Sequence, residues 1–141
     1  MRRMILRTRL ILIVSALALA ACAEKGDRVY RTWVGPDRSN MSIVTLNFGP
    51  DVKDVTIRER ELPRSEYGTI LFVPGKYTLH ERDDANIGIT IRPVLVDSTK
   101  ARARGELILG HTYALHAGKS DGKRVLWIED ARTGEVFIDT R

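Results

Sequence analysis

Histidine and cysteine, the side chains that most often bind transition metals, are few in this chain of 141 residues, which has three histidines and one cysteine. His111 and His116 are five positions apart, and on one extended strand this spacing points them to opposite faces. His80 precedes the acidic pair Asp83-Asp84, but such a pair ahead of alanine and asparagine is typical of a solvated turn. The sequence therefore predicts no metal site and no cofactor.

Residues suited to nucleophilic or acid–base catalysis do not occur at the required spacing either. The serines at positions 39, 42, 65, 98 and 120 lie outside any Gly-x-Ser-x-Gly elbow. Glu129 and Asp130 are adjacent, so on a strand they face opposite ways, whereas acid–base hydrolysis requires carboxyl groups that converge. We therefore expect a protein that is not an enzyme, with an undetected hydrolase as the least favoured alternative.

Two other features are candidates for binding. Lys100, Arg102 and Arg104 alternate with alanines, which places them on one side of the chain if the segment is extended. In that case they form a contact for anionic headgroups, lipopolysaccharide or an acidic partner. The simpler alternative is a solvated loop whose charges keep an edge strand from pairing with other chains. Trp33, just before Gly35-Pro36, and Trp127 are candidate ligand platforms, although alternation favours a core position for Trp127.

The charge balance argues against nucleic acid as a partner. The chain has 23 Lys+Arg and 18 Asp+Glu, and its formal net charge is +5. Four of the cations are arginines within residues 1–21, where no acid occurs, so the remainder holds 19 against 18. Because a nearly neutral body with interleaved charges has no long-range field, we expect no nucleic-acid binding.

The first 21 residues have the three parts of a secretory signal. A basic stretch over residues 1–9 is followed by an apolar run over residues 10–21 and then by Cys22. The alternative is a retained transmembrane helix, but the 12 residues of that run span only about 18 Å of a hydrocarbon layer roughly 30 Å thick. The sequence therefore predicts a signal peptide that is cleaved.

Leu19-Ala20-Ala21-Cys22 is similar to the lipobox of bacterial lipoproteins. That resemblance implies a Cys22 that is diacylated, freed by cleavage and then acylated on its new amino terminus. Lipidation also explains a lone cysteine in an oxidising exported compartment, where a free thiol invites intermolecular pairing. Three acyl chains anchor a protein stably to a membrane. Ala23 stands where an aspartate retains enteric lipoproteins in the inner membrane, so the resemblance implies the periplasmic face of the outer membrane.

After a short polar tether, turn residues separate many short runs of alternating polarity, and no 12-residue stretch has the period of a helix. This pattern predicts an all-β fold, a single small sandwich of the prealbumin-like or immunoglobulin-like type. We expect a signal peptide over residues 1–21, a lipidated cysteine and tether over 22–27, and one monomeric domain over 28–141. The predicted strands are residues 29–34, 42–48, 52–58, 69–73, 76–81, 87–96, 105–109, 112–117, 124–129 and 135–139.

Alternation along the strands selects the candidate core. The expected core residues are Val44, Leu46, Val55, Ile57, Leu71, Tyr77, Leu79, Ile89, Ile91, Leu107, Leu109, Tyr113, Leu115, Trp127, Val136 and Ile138. Two turns are also predicted: a tight type II turn at Pro74-Gly75, and a type I turn with a glycine bulge at Gly134.

Three segments resemble a group of small proteobacterial lipoproteins of uncharacterised function. They are Pro-Gly-Lys-Tyr-Thr-Leu at residues 74–79, Gly-His-Thr-Tyr-Ala-Leu-His at 110–116, and Trp-Ile-Glu-Asp-Ala-Arg-Thr-Gly-Glu-Val at 127–136. Gly-Pro-Asp-Arg at 35–38 fits the same pattern, whereas Leu109 replaces the usual alanine. The strand, Pro-Gly turn and tyrosine strand also resemble prealbumin-like and carboxypeptidase-regulatory-like sandwiches. The resemblance implies a fold and a location in the envelope, without a reaction.

The leading hypothesis is a lipid-anchored, non-catalytic protein of the cell envelope that binds or stabilises another envelope component. An anionic glycolipid or an envelope protein is the expected partner. The alternative is a periplasmic carrier or sensor of a small ligand held in the mouth of the sandwich.

Overall fold

A computed structural model describes residues 26–82 and 85–140, which form two packed β-sheets. The predicted all-β sandwich is confirmed. The signal peptide, Cys22 and the Asp83-Asp84 pair lie outside the described residues. The six-stranded sheet has the order β1 (Arg28–Arg31), β5 (Tyr67–Phe72), β2 (Val44–Phe48), β9 (Thr112–Ser120), β10 (Lys123–Asp130) and β11 (Val136–Asp139). The five-stranded sheet has the order β4 (Arg60–Leu62), β3 (Val55–Ile57), β6 (Gly75–Glu81), β7 (Asn86–Ile91) and β8 (Glu106–Leu107).

Both sheets are mixed. The pairs β1 with β5, β2 with β9, and β7 with β8 are parallel, and the remaining neighbours are antiparallel. The β9–β10 hairpin turns at Asp121-Gly122, where φ is 51° and 77°, as a two-residue type I′ turn requires. This tight turn fixes the register of the longest strand pair in the protein, from Ser120 opposite Lys123 to Tyr113 opposite Asp130.

The core lies between the sheets, and twelve of the predicted core residues are buried in it. They are Val44, Leu46, Val55, Ile57, Tyr77, Leu79, Ile89, Ile91, Leu107, Leu109, Tyr113 and Leu115. Burying a side chain of this size contributes about 1.5 to 3 kcal/mol. The packing between the sheets therefore supplies the main stabilising contribution.

The other four predicted core residues are only partly buried, because the neighbouring residues in each strand face the core instead. In β10 the fully buried residues are Leu126 and Ile128, so Trp127 between them is only partly buried and points outwards. Every position in the Val-Leu-Trp-Ile run is apolar, so alternation could not identify its inner face. In the same way Phe137 is buried while Val136 and Ile138 are only partly so, and Ile70 and Phe72 are buried while Leu71 is not.

One predicted strand is shorter than expected, and a short helix follows it. The strand expected over 87–96 ends at Ile91, and α1 (Ser98–Arg104) follows. Asp97 caps this helix, because its side chain accepts a hydrogen bond of 2.9 Å from the N–H of Thr99. Seven residues are too few to establish a period of 3.6 in the sequence. A single turn of 3-10 helix, Asn40–Ser42, lies in the connection between β1 and β2.

The sequence also missed β4, because its hairpin with β3 uses an unusual turn. Arg58 and Glu59 adopt φ of 49° and 65°, a region that glycine and asparagine normally occupy. The Arg58 guanidinium donates a hydrogen bond of 3.1 Å to the carbonyl of Thr32 and lies 4.7 Å from the centre of the Tyr77 ring. These contacts with the rest of the molecule support the strained turn.

The predicted type II turn at Pro74-Gly75 is wrong. Such a turn requires φ near +80° at its glycine, whereas φ of Gly75 is 155° and this residue begins β6. Since β5 and β6 belong to different sheets, the segment is a crossing rather than a hairpin. The Tyr77 hydroxyl donates a hydrogen bond of 2.7 Å to the carbonyl of Val73 and holds this crossing.

The strand directions divide the connections between two ends of the sandwich. The N–H of Gly26 donates to the carbonyl of Arg64 at 3.1 Å, so the chain joins the domain two residues before the expected boundary at 28. We call this the anchor end; it also holds the connections 49–54, 63–66 and 121–122. At the opposite end, which we call the distal end, lie the connections 32–43, 73–74, 92–97, 108–111 and 131–135.

A buried ion pair joins the two sheets. The Glu81 side chain on β6 is 0% exposed, and its carboxylate accepts hydrogen bonds of 2.7 and 3.1 Å from Arg124 on β10. The backbone N–H of Lys53 donates to the same carboxylate at 2.9 Å, and Arg124 also donates to the carbonyl of Asp51. This network ties the connection between β2 and β3 to both sheets.

Candidate binding sites at the distal end

The basic residues predicted as a binding cluster lie on α1, so their arrangement differs from the prediction for an extended segment. Arg102 forms an ion pair with Glu135, which leads into β11. Lys100 and Arg104 are four residues apart in the helix and therefore lie on one side of it, and both are exposed. Two of the three cations are thus available at the surface, and the third fastens the helix to the neighbouring hairpin.

Trp33 is partly buried in the long connection after β1. Its indole N–H donates a hydrogen bond of 3.0 Å to the carbonyl of Pro36, and the guanidinium groups of Arg31 and Arg38 lie 5.5 and 5.8 Å from the indole ring. Two cations therefore lie within 6 Å of the ring centre. Trp33 follows β1, at one edge of the six-stranded sheet, whereas α1 contacts β11 at the other edge, so the two predicted features share an end but not a site.

A cleft that the sequence did not predict lies between the 108–111 connection and the turn after β10. Its volume is about 480 Å³. His111, Asp130 at the end of β10 and Arg132 in the turn that follows all line it. Nδ1 of His111 is 3.5 Å from Oδ2 of Asp130, and the imidazole stacks on the ring of Tyr113 with the ring centres 6.1 Å apart. The full lining consists of Gly110, His111, Thr112, Asp130, Ala131 and Arg132.

The Asp130 carboxylate organises this cleft. Burial alone would raise the pKa of Asp130, but the backbone N–H groups of Thr133 and Arg132 and the side chain of His111 stabilise its charge, so that the pKa falls below the ordinary value of 3.8. The two N–H groups donate to Oδ1 at 3.0 and 2.8 Å, which shapes the turn as an aspartate side chain often does. Asp130 is therefore ionised at neutral pH.

Tyr113 forms the floor behind His111. Its side chain is fully buried, and its hydroxyl accepts a hydrogen bond of 3.0 Å from the N–H of Ile108. Burial raises the pKa of Tyr113 to about 12, although the hydrogen bond from Ile108 acts in the opposite direction. Tyr113 thus stays neutral across the physiological range and fixes the 108–111 connection against β9.

His116 and Trp127 form a separate pair on the outer face of the six-stranded sheet. Their positions are opposite each other in the β9–β10 register. Glu129 contacts both rings. Its Oε1 accepts a hydrogen bond of 3.0 Å from the indole N–H of Trp127, and its Oε2 lies 3.2 Å from Nε2 of His116. His111 and His116 thus contact different carboxylates, as expected from their predicted orientation to opposite faces. Among the described residues, no group of three or more histidine, cysteine or acidic side chains is placed to hold a metal ion.

A second cleft, of about 640 Å³, lies where the crossing before β6 meets the end of β7. Arg92 and Glu106 form an ion pair of 3.0 Å at this cleft, and Lys76 lies nearby. Its walls include Pro74, Ile91 and Pro93, so they are more apolar than those of the His111 cleft. This cleft is the better fit to a ligand with an apolar part.

Comparisons of this chain with family models, curated proteins and solved structures give no match. Within the described part of the chain, no helix is long and apolar enough to cross a bilayer.

Proposed function

We propose that this chain is a lipid-anchored, non-catalytic protein of the cell envelope that binds another envelope component through its distal end. The proposal depends on one observation: the point where the chain enters the domain and the candidate binding sites lie at opposite ends of the sandwich. The chain joins the domain at Gly26, four residues after the lipobox cysteine Cys22, whereas both clefts and both predicted binding features belong to the opposite end. Lipidation of Cys22 and export follow from the resemblance of Leu19-Ala20-Ala21-Cys22 to a lipobox.

Simple lengths support this arrangement. Four residues span at most about 14 Å when fully extended, so a body that begins at Gly26 stays close to the bilayer. A strand of six residues such as β5 is roughly 20 Å long, so the distal loops lie at least that far from the anchor end. A partner in the envelope can therefore meet the distal loops without displacing the lipid anchor.

The distal loops also expose apolar side chains. Val34 and Met41 in the 32–43 connection are exposed, as are Val94 and Leu95 in the 92–97 connection. These side chains are available for contact with another macromolecule at this end of the sandwich. Because Ala23 replaces the inner-membrane aspartate, we place this surface on the periplasmic side of the outer membrane.

The anchor is tested first, by Cys22→Ser in the full chain. We expect loss of acyl-label incorporation and loss of membrane retention, because the substitution removes the acylated sulfur. Acyl labelling that is unaffected by the change would rule out the lipoprotein assignment.

The binding end is tested by photo-crosslinking in living cells. A photoreactive residue is placed at Val34 or Lys100 in the distal loops, and at Lys119 near the anchor end as a control. We expect the same discrete product from both distal positions and none from the control. Products of equal yield from all three positions, or from Lys119 alone, would contradict a distal binding surface.

The second candidate function, a carrier or sensor of a small ligand, is favoured by the 640 Å³ cleft beside Ile91. A drug-sized ligand fits within this volume. Under this hypothesis, Pro93→Trp or Lys76→Glu abolishes binding of an amphipathic small molecule and leaves the crosslinked product unchanged. Loss of the crosslinked product in both variants would instead favour the macromolecular partner.

A further inference from the structure

The His111 cleft has two hydrogen-bonding groups without a partner. Nδ1 of His111 faces Asp130, but among the described residues Nε2 has no hydrogen bond or ion pair. The guanidinium of Arg132, another residue that lines the cleft, likewise has none within residues 26–82 and 85–140, although its backbone N–H is bonded to Asp130. The cleft therefore presents one imidazole nitrogen and one free guanidinium.

Both oxygens of the carboxylate in the cleft are engaged by other groups. Asp130 is 8% exposed, Oδ1 is occupied by two backbone N–H groups, and Oδ2 faces His111. A carboxylate held in this way orients an imidazole, since it fixes the ring nitrogen that carries the facing proton. In the imidazolium form, Nδ1–H faces Asp130 and Nε2–H remains for a ligand.

Four acids at the distal end are engaged, and several cations there are not. Asp37 pairs with Arg31, Asp97 caps α1, Asp130 faces His111, and Glu135 pairs with Arg102. In the described part of the chain, the exposed side chains of Lys100, Arg104 and Arg132 have no acidic partner. The distal end thus carries an excess of free positive charge.

The basic helix is joined to the wall of the cleft. Arg102 on α1 pairs with Glu135, whose carbonyl accepts a hydrogen bond of 2.8 Å from the N–H of Asp130. Lys100 and Arg104 therefore stand on a helix fastened to the same hairpin that supplies Arg132. Their charges attract an anion towards this hairpin over a distance of about one Debye length.

We propose that the His111 cleft is a binding site for a phosphate group, with Nε2 of His111 and the guanidinium of Arg132 as its donors. A guanidinium matches the oxygen geometry of phosphate, and the excess of free cations favours a dianionic ester over a single carboxylate. The volume of about 480 Å³ leaves room for the group that bears the phosphate, such as a sugar. This inference names the ligand of the proposed binding end and rests on that function, but not on the lipid anchor.

The experiment titrates the full-length protein, purified in a neutral detergent, with inorganic pyrophosphate by calorimetry. Arg132→Gln removes one donor, and His111→Asn removes Nε2 while keeping a donor near Asp130. We expect each substitution to weaken binding by roughly tenfold or more, as loss of a charge-assisted hydrogen bond does. Lys119→Gln, an equal loss of charge near the anchor end, should leave the affinity unchanged.

A pH series gives a readout that a general surface charge would not. Histidine is the type of side chain whose charge can change between pH 5.5 and 8, whereas in this range Asp130 stays ionised and Tyr113 stays neutral. Sulfate is the probe here, because its own charge does not change over this range. We expect sulfate to bind more tightly at pH 5.5 than at pH 8, and His111→Asn to remove the difference.

Two further ligands distinguish a lipid headgroup from a soluble phosphate ester as the natural ligand. Tighter binding of lipid A micelles than of glucose 1-phosphate assigns the site to a lipid headgroup, and equal affinity assigns it to soluble phosphate esters. The inference is overturned if pyrophosphate does not bind the parent protein, or if Arg132→Gln and His111→Asn bind it as the parent does. If those results occur while distal crosslinking persists, only the phosphate site is lost and the proposed function stands.

Discussion

Trp127 stacks on His116 across the β9–β10 pair, with ring centres 5.5 Å apart and ring planes 19° from parallel. The indole also lies over Gly118, where an added Cβ would approach the ring to 3.3 Å. Glu129 fixes both rings through its two oxygens. Trp127 therefore belongs to a built cluster on the outer face of the six-stranded sheet, whereas the sequence pattern had placed it in the core.

The position of Trp127 changes the expected cost of its removal. A core tryptophan costs about 3 to 5 kcal/mol on truncation to alanine. On the outer face, Trp127→Ala should cost only about 1 to 2 kcal/mol, from the lost aromatic pair and hydrogen bond. Ile128→Ala, next in the same strand and 0% exposed, should cost about 2 to 5 kcal/mol. Urea unfolding of both variants measures the difference, and an equal or larger loss for Trp127→Ala would contradict the outward placement.

Gly134 provides a test of the β10–β11 turn. Its φ is 74°, as the predicted glycine bulge requires, and an added Cβ would meet no atom within 4 Å. Gly134→Val should therefore destabilise the protein through the backbone alone, by roughly 1 to 3 kcal/mol. Membrane targeting should remain intact. Gly88→Val is the matched control, because Gly88 also has open space but no positive φ; similar losses in thermal melts would show that the conformation of Gly134 is not the cause.

Many of the residue pairs in the candidate site can be predicted from the sequence of one turn. Once Asp121-Gly122 is taken as a two-residue hairpin turn, Ser120 lies opposite Lys123, and counting outwards places Trp127 opposite His116 and Asp130 opposite Tyr113. Continued beyond the strands, the same register brings His111 to the level of Arg132. The pairs that define both polar clusters thus follow from the turn, although the individual histidines had no recognisable motif.

The remaining features depend on contacts that local patterns do not encode. The β3–β4 turn has neither glycine nor asparagine, and Arg58 supports it by contacts with Thr32 and Tyr77, which are distant in sequence. The helix α1 is too short to show periodicity, so its basic residues fitted a strand equally well. Assignment of β5 and β6 to different sheets is likewise a property of the whole topology, and Pro74-Gly75 suits a crossing as well as a hairpin.

The charge of Asp130 predicts a change of stability in acid. Because the pKa of Asp130 is lower in the folded protein than its ordinary value of 3.8, the stabilisation is fully present above that value. It is lost as the pH falls from that value through the folded pKa, so the loss is confined to pH below about 4. Asp130→Asn keeps an acceptor for the N–H groups of Arg132 and Thr133 but removes the charge.

Unfolding free energies of the parent and Asp130→Asn should therefore differ most near neutral pH and converge as the pH falls below about 4. Asp54→Asn is a suitable control. The Asp54 carboxylate also accepts a hydrogen bond of 2.8 Å from a backbone N–H, that of Arg64, but it lies away from the cleft. A constant difference between the parent and Asp130→Asn across the whole range would show that the carboxylate charge does not stabilise the turn.

The ion pair between Glu81 and Arg124 predicts strong coupling between the two sheets. Removal of one member of a buried pair leaves an uncompensated charge, which costs about 3 to 5 kcal/mol. Arg124→Met should have this effect, because the Glu81 carboxylate is 0% exposed and keeps only the N–H of Lys53 among the donors described above. Glu81→Gln should cost less, since the amide is neutral and still accepts a hydrogen bond.

A double-mutant cycle tests whether the two side chains act together. In the Glu81→Gln, Arg124→Met double variant no buried charge remains, so the total loss should be smaller than the sum of the single losses by about 1 to 3 kcal/mol. Arg82→Met combined with Asp54→Asn serves as the exposed comparison, because that pair is 3.8 Å apart and Arg82 is largely solvated. Its coupling should be below about 1 kcal/mol. Additive losses in the Glu81 cycle would mean that each side chain is held by its backbone contacts alone, and that the charge pair does not join the sheets.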